Sequence, residues 1–236
     1  MVPLSFFAAP RAPQGGRSAA DQYGDAHDPW SWRNDPMTTA QTVDLRSVTG
    51  WEQVLLPDSS TPVSLARLRI SPRRALTALV WYPPGWEFTA TGNYAADLDL
   101  VVFEGALTIS GTTIRTSEYV YLETGYFWNG AKTVTGALVI QRFSDAPRWM
   151  ASDKPRFRIP QRPCFLPSVA FTDSGQVREL RKNRGASTRF HARLEPFNVT
   201  DGDTEVIDTV QRRWIHLPPG VCYPETERAI VMSPAG

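Results

Sequence analysis

An antiparallel all-β fold, a sandwich or a barrel, is the fold class this sequence predicts, and three observations predict it. Short runs rich in aliphatic, β-branched and aromatic residues recur between Thr42 and Pro147, Gly and Pro punctuate them, and no helical period runs through the stretch. Strands are expected at Ala75 to Tyr82, Leu98 to Phe103, Ala106 to Ser110, Tyr119 to Leu122 and Val134 to Phe143. Ser110-Gly111 reads as a tight hairpin turn. Ahead of these runs, residues 1–36 are rich in Pro, Gly, Ala, Asp and Ser without hydrophobic periodicity, as a poorly packed arm would be, and Tyr23, Trp30 and Trp32 could dock it on a barrel edge.

Composition is that of an ordinary water-facing domain: 42% hydrophobic, 21% charged, formal net charge +1. No apolar run approaches the ~18 residues of a membrane span. The first ten residues carry a short apolar patch with no basic residue ahead of it, a poor secretory signal, so the cytoplasm is the expected compartment and no membrane partner is expected. Cys164 and Cys222 are isolated and read as free or buried thiols, and His27, His191 and His216 are too scattered to build a zinc site. Only Lys132, Lys154 and Lys182 are lysine among 25 basic residues, a skew that reflects a GC-rich genome more often than a function.

The densest signal lies between Pro83 and Trp128. Gly85 and Gly105 bracket Thr91-x-Asn93 and Leu98, the last flanked by Asp97 and Asp99; further on come Ser117, Glu123-Thr124-Gly125 and Trp128. This spacing resembles the two motifs of the cupin superfamily, in which the positions of Thr91, Asn93, Leu98 and Trp128 are ordinarily His, His, Glu and His. The resemblance implies a cupin-like double-stranded β-helix, a jelly-roll barrel, over about Thr42 to Pro147. It also implies that the family's metal chemistry has been removed, because a transition-metal site needs three or four imidazole, thiolate or carboxylate donors at ~2.0–2.2 Å and these four residues supply none. No metal or other cofactor is therefore expected.

A weak repeat joins the start of this domain to the far end of the chain: Val43-Asp44, Trp51, Leu56-Pro57, Pro62 and Pro72 against Ile207-Asp208, Trp214, Leu217-Pro218, Pro224 and Pro234. Tandem cupins suggest a second unit beginning near Thr204; the alternative is that these residues add edge strands to the barrel or to a second copy. The division expected is an irregular N-terminal arm at 1–41, a cupin-like barrel at 42–147, a basic linker at 148–203, and a partial second unit or a strand-adding C-terminal extension at 204–236. The linker carries ten basic against five acidic residues between 154 and 203, including the run Arg178 to Arg184. A cupin-like domain also occurs in a zinc-binding anti-sigma factor family, but its zinc ligands are absent here and no aromatic interleaving accompanies the basic run. It reads as a solvated face, and nucleic acid is not an expected partner.

The function these readings favour is binding of a small organic ligand inside a metal-free barrel, in a homodimer. Thr91 and Asn93 would offer hydrogen bonds, Trp128 a stacking surface, and Asp97, Tyr119 and Tyr121 further polar contacts, with Tyr119 and Tyr121 on one strand face. Two alternatives stay open. One is metal-independent isomerisation, epimerisation or cyclisation by a Tyr and a carboxylate, Tyr119 or Tyr121 with Asp97, Asp99 or Glu123. The other is a non-catalytic regulatory scaffold. A packed interior favours the scaffold, and an open polar one favours binding or catalysis.

Overall fold

The structure, a computed structural model, describes residues 40–56, 58–71, 74–153, 164–166, 177–183, 186–200 and 202–233. The arm up to residue 39, with Tyr23, His27, Trp30 and Trp32, and the basic residues from Lys154 to Arg162 lie outside the described residues.

Every helix-or-strand element among the described residues is a strand. β1 (Gln41–Asp44), β2 (Glu52–Val54), β3 (Val63–Ile70), β4 (Leu76–Tyr82), β5 (Glu87–Tyr94), β6 (Leu98–Ile109), β7 (Thr112–Arg115), β8 (Tyr119–Leu122), β9 (Trp128–Lys132) and β10 (Ala137–Phe143) fill the stretch expected to form the barrel. β11 (Trp149–Ala151), β12 (Cys164–Leu166), β13 (Val177–Asn183), β14 (Ala186–Leu194) and β15 (Phe197–Asn198) occupy the stretch expected to be a linker. β16 (Thr204–Asp208), β17 (Arg213–Leu217), β18 (Cys222–Tyr223) and β19 (Thr226–Ser233) follow. The 148–203 segment is thus strand-bearing. Arg178, Arg181 and Lys182 of its basic run lie on β13, which pairs with β14 and puts Leu180 into a buried core, while Arg184 lies outside the described residues.

The larger sheet runs β11-β5-β9-β6-β10-β4-β3-β2, with β7 and β8 attached to β6 and β12 to β8. It curls, and its two ends meet where Ser59, beyond β2, bridges Phe88 of β5. Turn chemistry follows the sequence: Ser110 and Gly111, at φ 49° and 80°, close the hairpin from β6 to β7. Gly105 sits where β6 bends and crosses Gly136 so closely that a Cβ there would lie 1.9 Å from the Gly136 carbonyl oxygen, so the bend requires glycine.

A second sheet, β1-β17-β16-β19-β14-β13, lies against the outer face of the first. Strand alternation separates the two sides of the barrel wall. In β4, Leu76, Ala78, Val80 and Tyr82 enter the interior core, whereas Leu79 enters the layer between the sheets. In β6, Leu98, Leu100 and Val102 point in while Val101 and Phe103 point out, and in β10 Val139 and Phe143 point in while Ile140 points out. The far side of the second sheet holds a third, smaller core of Leu194, Val206, Ile215, Leu217, Tyr223 and Val231. The described residues from Thr204 on belong, β18 apart, to the second sheet. They complete a sheet that β13 and β14 begin and to which β1 contributes, and β1 and β16, the matched starts of the sequence repeat, flank β17 on either side.

Candidate functional site

The barrel interior, where the motif spacing would place the chemistry, is filled by side chains. Leu98 and Trp128, standing at the Glu and final His positions, are both buried in the interior core. Around Trp128 the rings interlock: Tyr94–Trp128 at 5.5 Å between centroids, Tyr94–Trp149 at 5.0 Å, Tyr94–Phe143 at 5.0 Å and Phe88–Trp149 at 5.2 Å, three of these four edge-on and the Tyr94–Phe143 pair tilted. Trp86 continues the array, stacked on Phe88 at 6.2 Å and edge-on to Tyr82 at 4.6 Å. Gly92 leaves space for this packing, since a Cβ there would meet the Trp149 ring at 2.8 Å.

Few polar groups share this interior. Gln141 Nε2 donates to the Tyr82 hydroxyl at 2.7 Å. Burial pushes the Tyr94 phenol up to about 12, and burial together with Tyr94 pushes Tyr82 higher still, against the opposing Gln141 hydrogen bond, so both phenols stay protonated at ordinary pH. Among the described residues, both amide atoms of Asn93, the Trp86 indole nitrogen and the Thr133 hydroxyl are enclosed without a hydrogen-bond partner. A transition metal does not fit this donor set. Leucine and tryptophan supply no lone pair of the required kind, and no cluster of three or more His, Cys, Asp or Glu occurs among the described residues.

The six residues singled out from the sequence do not converge. Trp128 and Asn93 are buried at the barrel, and Thr91 is half-buried on the same strand as Asn93, its carbonyl accepting from Ser152 N–H at 3.1 Å. Asp97 is a clamp between turns: its Oδ1 accepts from the Thr124 N–H at 2.7 Å and from the Thr124 hydroxyl at 2.6 Å, which ties the two motif regions together at a corner. Tyr119 and Tyr121 do share a face, but it is the outer one, in the layer between the sheets.

That layer holds what sequence reading missed, a buried ionic network. Tyr119 donates its hydroxyl hydrogen to Asp99 Oδ1 at 2.5 Å, and Thr188 donates to the same oxygen at 3.3 Å. Arg142 bridges the two halves of the network, with Nη1 3.3 Å from Asp99 Oδ2 and Nε 3.2 Å from Glu205 Oε1. Glu205 also accepts from Arg69 at 3.3 Å, from the Thr77 hydroxyl at 2.7 Å and from the Trp214 indole at 2.8 Å. Arg69 pairs in turn with Asp203. Burial alone raises the Glu205 carboxyl, but Arg142, Thr77, Arg69 and Trp214 together outweigh it and hold the group below the usual carboxylate range. His216 stands beside this network, cross-strand from Glu205 and 3.6 Å from Asp203, with its imidazole pushed down by burial and by Arg69. A sequence signal for part of the network does exist: Asp99 interrupts an apolar strand run, between Leu98 and Leu100.

Chemically the arrangement is closed. The Tyr–carboxylate pair weighed as an acid and base is present as Tyr119 and Asp99, at 0% and 1% exposure, with the carboxylate also held by Arg142 and Thr188. No substrate atom reaches it from the barrel, because Asp99 and Tyr119 belong to the opposite face of the wall from Leu98 and Val120.

No protein-family model and no curated protein matches the sequence. Solved structures do. A candidate dioxygenase from Nostoc punctiforme PCC 73102 aligns with a TM-score of 0.65 at 19% identity over 83% of each chain. Protein Ylba from E. coli aligns with a TM-score of 0.53 at 9% identity over 87% of this chain and 94% of its own. A cupin 2 conserved barrel domain protein from Leptotrichia buccalis aligns over 81% of this chain and 94% of its own at 14% identity, with a TM-score of 0.43. The first two alignments extend well past the barrel and carry the likeness at the level of fold. With an all-β architecture, a curled sheet around an interior core and the likeness to the first two structures, the chain has a jelly-roll fold.

Proposed function

We propose that this protein is a non-catalytic cupin-fold scaffold, in which a barrel of enzyme ancestry has become a solid structural unit. The observation that carries this reading is the occupation of the interior by the Tyr94, Trp128, Phe143 and Trp149 rings, with Leu98 and Trp128 at positions that would otherwise face a metal. The test is metal analysis of the dialysed full-length protein, with native mass spectrometry for a retained small molecule. The scaffold reading expects neither at near-stoichiometric level. Stoichiometric iron, manganese, nickel or zinc overturns it.

One observation favours a second reading, binding of a small organic ligand in the barrel. Asn93 is fully enclosed with both amide atoms unpartnered among the described residues, and a buried polar group left in that state costs about 1–3 kcal/mol. A ligand reaching Asn93 past Trp128 would satisfy it. A retained molecule lost on Asn93→Ala but kept on Tyr119→Phe selects this reading over the scaffold.

A further inference from the structure

We infer that the groove at the seam between the two sheets, outside the barrel, is a binding site for a planar aromatic carboxylate. Its floor is a cross-strand row on the outer face of the barrel: Ser64 opposite Trp81, Trp81 opposite Leu138, Leu138 opposite Glu104. The groove has a volume of about 580 Å³, within the ~300–1,000 Å³ range of small-molecule sites. Trp51 and Phe103 also line it.

The two tryptophans are set differently. Trp51 keeps 38% of its surface exposed, yet its indole N–H donates to the Val48 carbonyl at 3.0 Å, so the ring is held in place while open to solvent. Trp81 lies over Gly136, whose lack of a side chain gives the ring room, and its indole N–H has no hydrogen-bond partner among the described residues, which leaves a donor at the groove. Together they bring two indoles and one free N–H to the groove, which suits an apolar aromatic body carrying an acceptor.

Charge selects the acid. Arg212 and Glu104 line the groove but pair with each other, so their charges cancel. Arg46 also lines it, exposed, with no ion pair among the described residues. Arg46 is thus the lining charge with no opposite charge paired to it, and a guanidinium binds a carboxylate through paired hydrogen bonds that a neutral ligand cannot match. A flat aromatic ring with a carboxylate at one edge satisfies the walls, the free indole N–H and Arg46 at once.

This inference rests on the groove alone and stands whether or not the barrel is solid. The test is isothermal titration calorimetry of the full chain at low salt, with 2-naphthoate as probe and 2-naphthamide as its neutral counterpart. Saturable binding of the acid, at least about tenfold tighter than the amide, is expected, with that preference lost in Arg46→Gln. Trp51→Ala is expected to weaken both ligands about tenfold. Both residues are exposed, so an unchanged denaturation midpoint verifies that each variant folds. Absence of saturable binding overturns the inference, and so does binding that Arg46→Gln and Trp51→Ala leave unchanged. Binding lost instead in the interior variant Trp128→Phe also overturns it, since the ligand would then lie in the barrel.

Discussion

The two faces of the barrel wall are built from the same strands and treat polarity in opposite ways. Along β6 the inward residues are Leu98, Leu100 and Val102, while one residue over, facing the second sheet, sits Asp99. Along β10 the inward Val139 and Phe143 alternate with the outward Arg142. A metal-bearing cupin would concentrate its ionisable groups inside. Here the buried carboxylates and the Arg142 guanidinium lie on the outside, where they join one sheet to the other. The difference teaches that buried charge can serve registry: a carboxylate that accepts from four donors, as Glu205 does, is satisfied in only one placement of the second sheet, whereas apolar contacts tolerate sliding.

The comparison breaks most visibly through large side chains. Trp128→Ala should cost about 3–5 kcal/mol on denaturant unfolding, and added indole should recover part of it by refilling the cavity. A wild type stabilised equally by indole would mean the interior already has room. On the other face, Arg142→Leu should also cost about 3–5 kcal/mol, since it strands Asp99 and Glu205 as buried anions. Indole should not help there, whereas adding Glu205→Gln should return part of the loss. A loss that adds simply across that double variant would show the residues to be uncoupled. Tyr119→Phe removes a single charged hydrogen bond and should cost about 1.5–3 kcal/mol, read from the shift in denaturation midpoint.

Acid sharpens the contrast further. Glu205 and His216 both have folded pKa values below their unfolded ones, so the stability each contributes is complete above the unfolded value and is lost as pH falls through the folded value. Unfolding free energy should therefore decline in two steps, below about 6.5 for the imidazole and below about 4.3 for the carboxyl. His216→Gln should shrink the upper step, leaving the share of His191, whose imidazole is also pushed down by burial and by Arg189, and Glu205→Gln should remove the lower. A Trp128→Ala variant, whose lesion is apolar, should keep both. At the bottom of the scale, Glu52→Gln, which breaks the half-exposed pair with Arg67, should cost no more than about 1 kcal/mol.

Much of the fold was legible in the sequence because its strands are bounded by residues with local reasons to end them. The expected Tyr119 to Leu122 strand is β8 as observed, the expected Ala75 to Tyr82 run differs from β4 by one residue, and Ser110-Gly111 turns the chain where its backbone demands. The site was less legible, and β6 shows why. Its residues from Leu98 to Phe103 are all buried, on both faces, so alternation tells which residues lie together but not which set faces the interior. Tyr119 and Tyr121 could be placed on one face, yet nothing local to them says that another sheet covers it. The partners that decide the matter, Thr188 and Glu205, lie far along the chain. The weak repeat carried a trace of that sheet, since its two copies begin at the strands that flank β17.

The pairing of β1 with β17 has a consequence for the order of assembly. Thr42 meets Ile215 across that ladder, so one of the earliest strands to leave the ribosome cannot hydrogen-bond until one of the latest emerges. The barrel can close on its own contacts during this interval, while its outer face, with Asp99 and Arg142, waits uncovered. Synthesis would then pass through a stage in which half the ionic layer is wet and β1 is a loose edge, and pulse-labelled hydrogen exchange during refolding should protect the β4, β6 and β10 amides before those of β1 and β17.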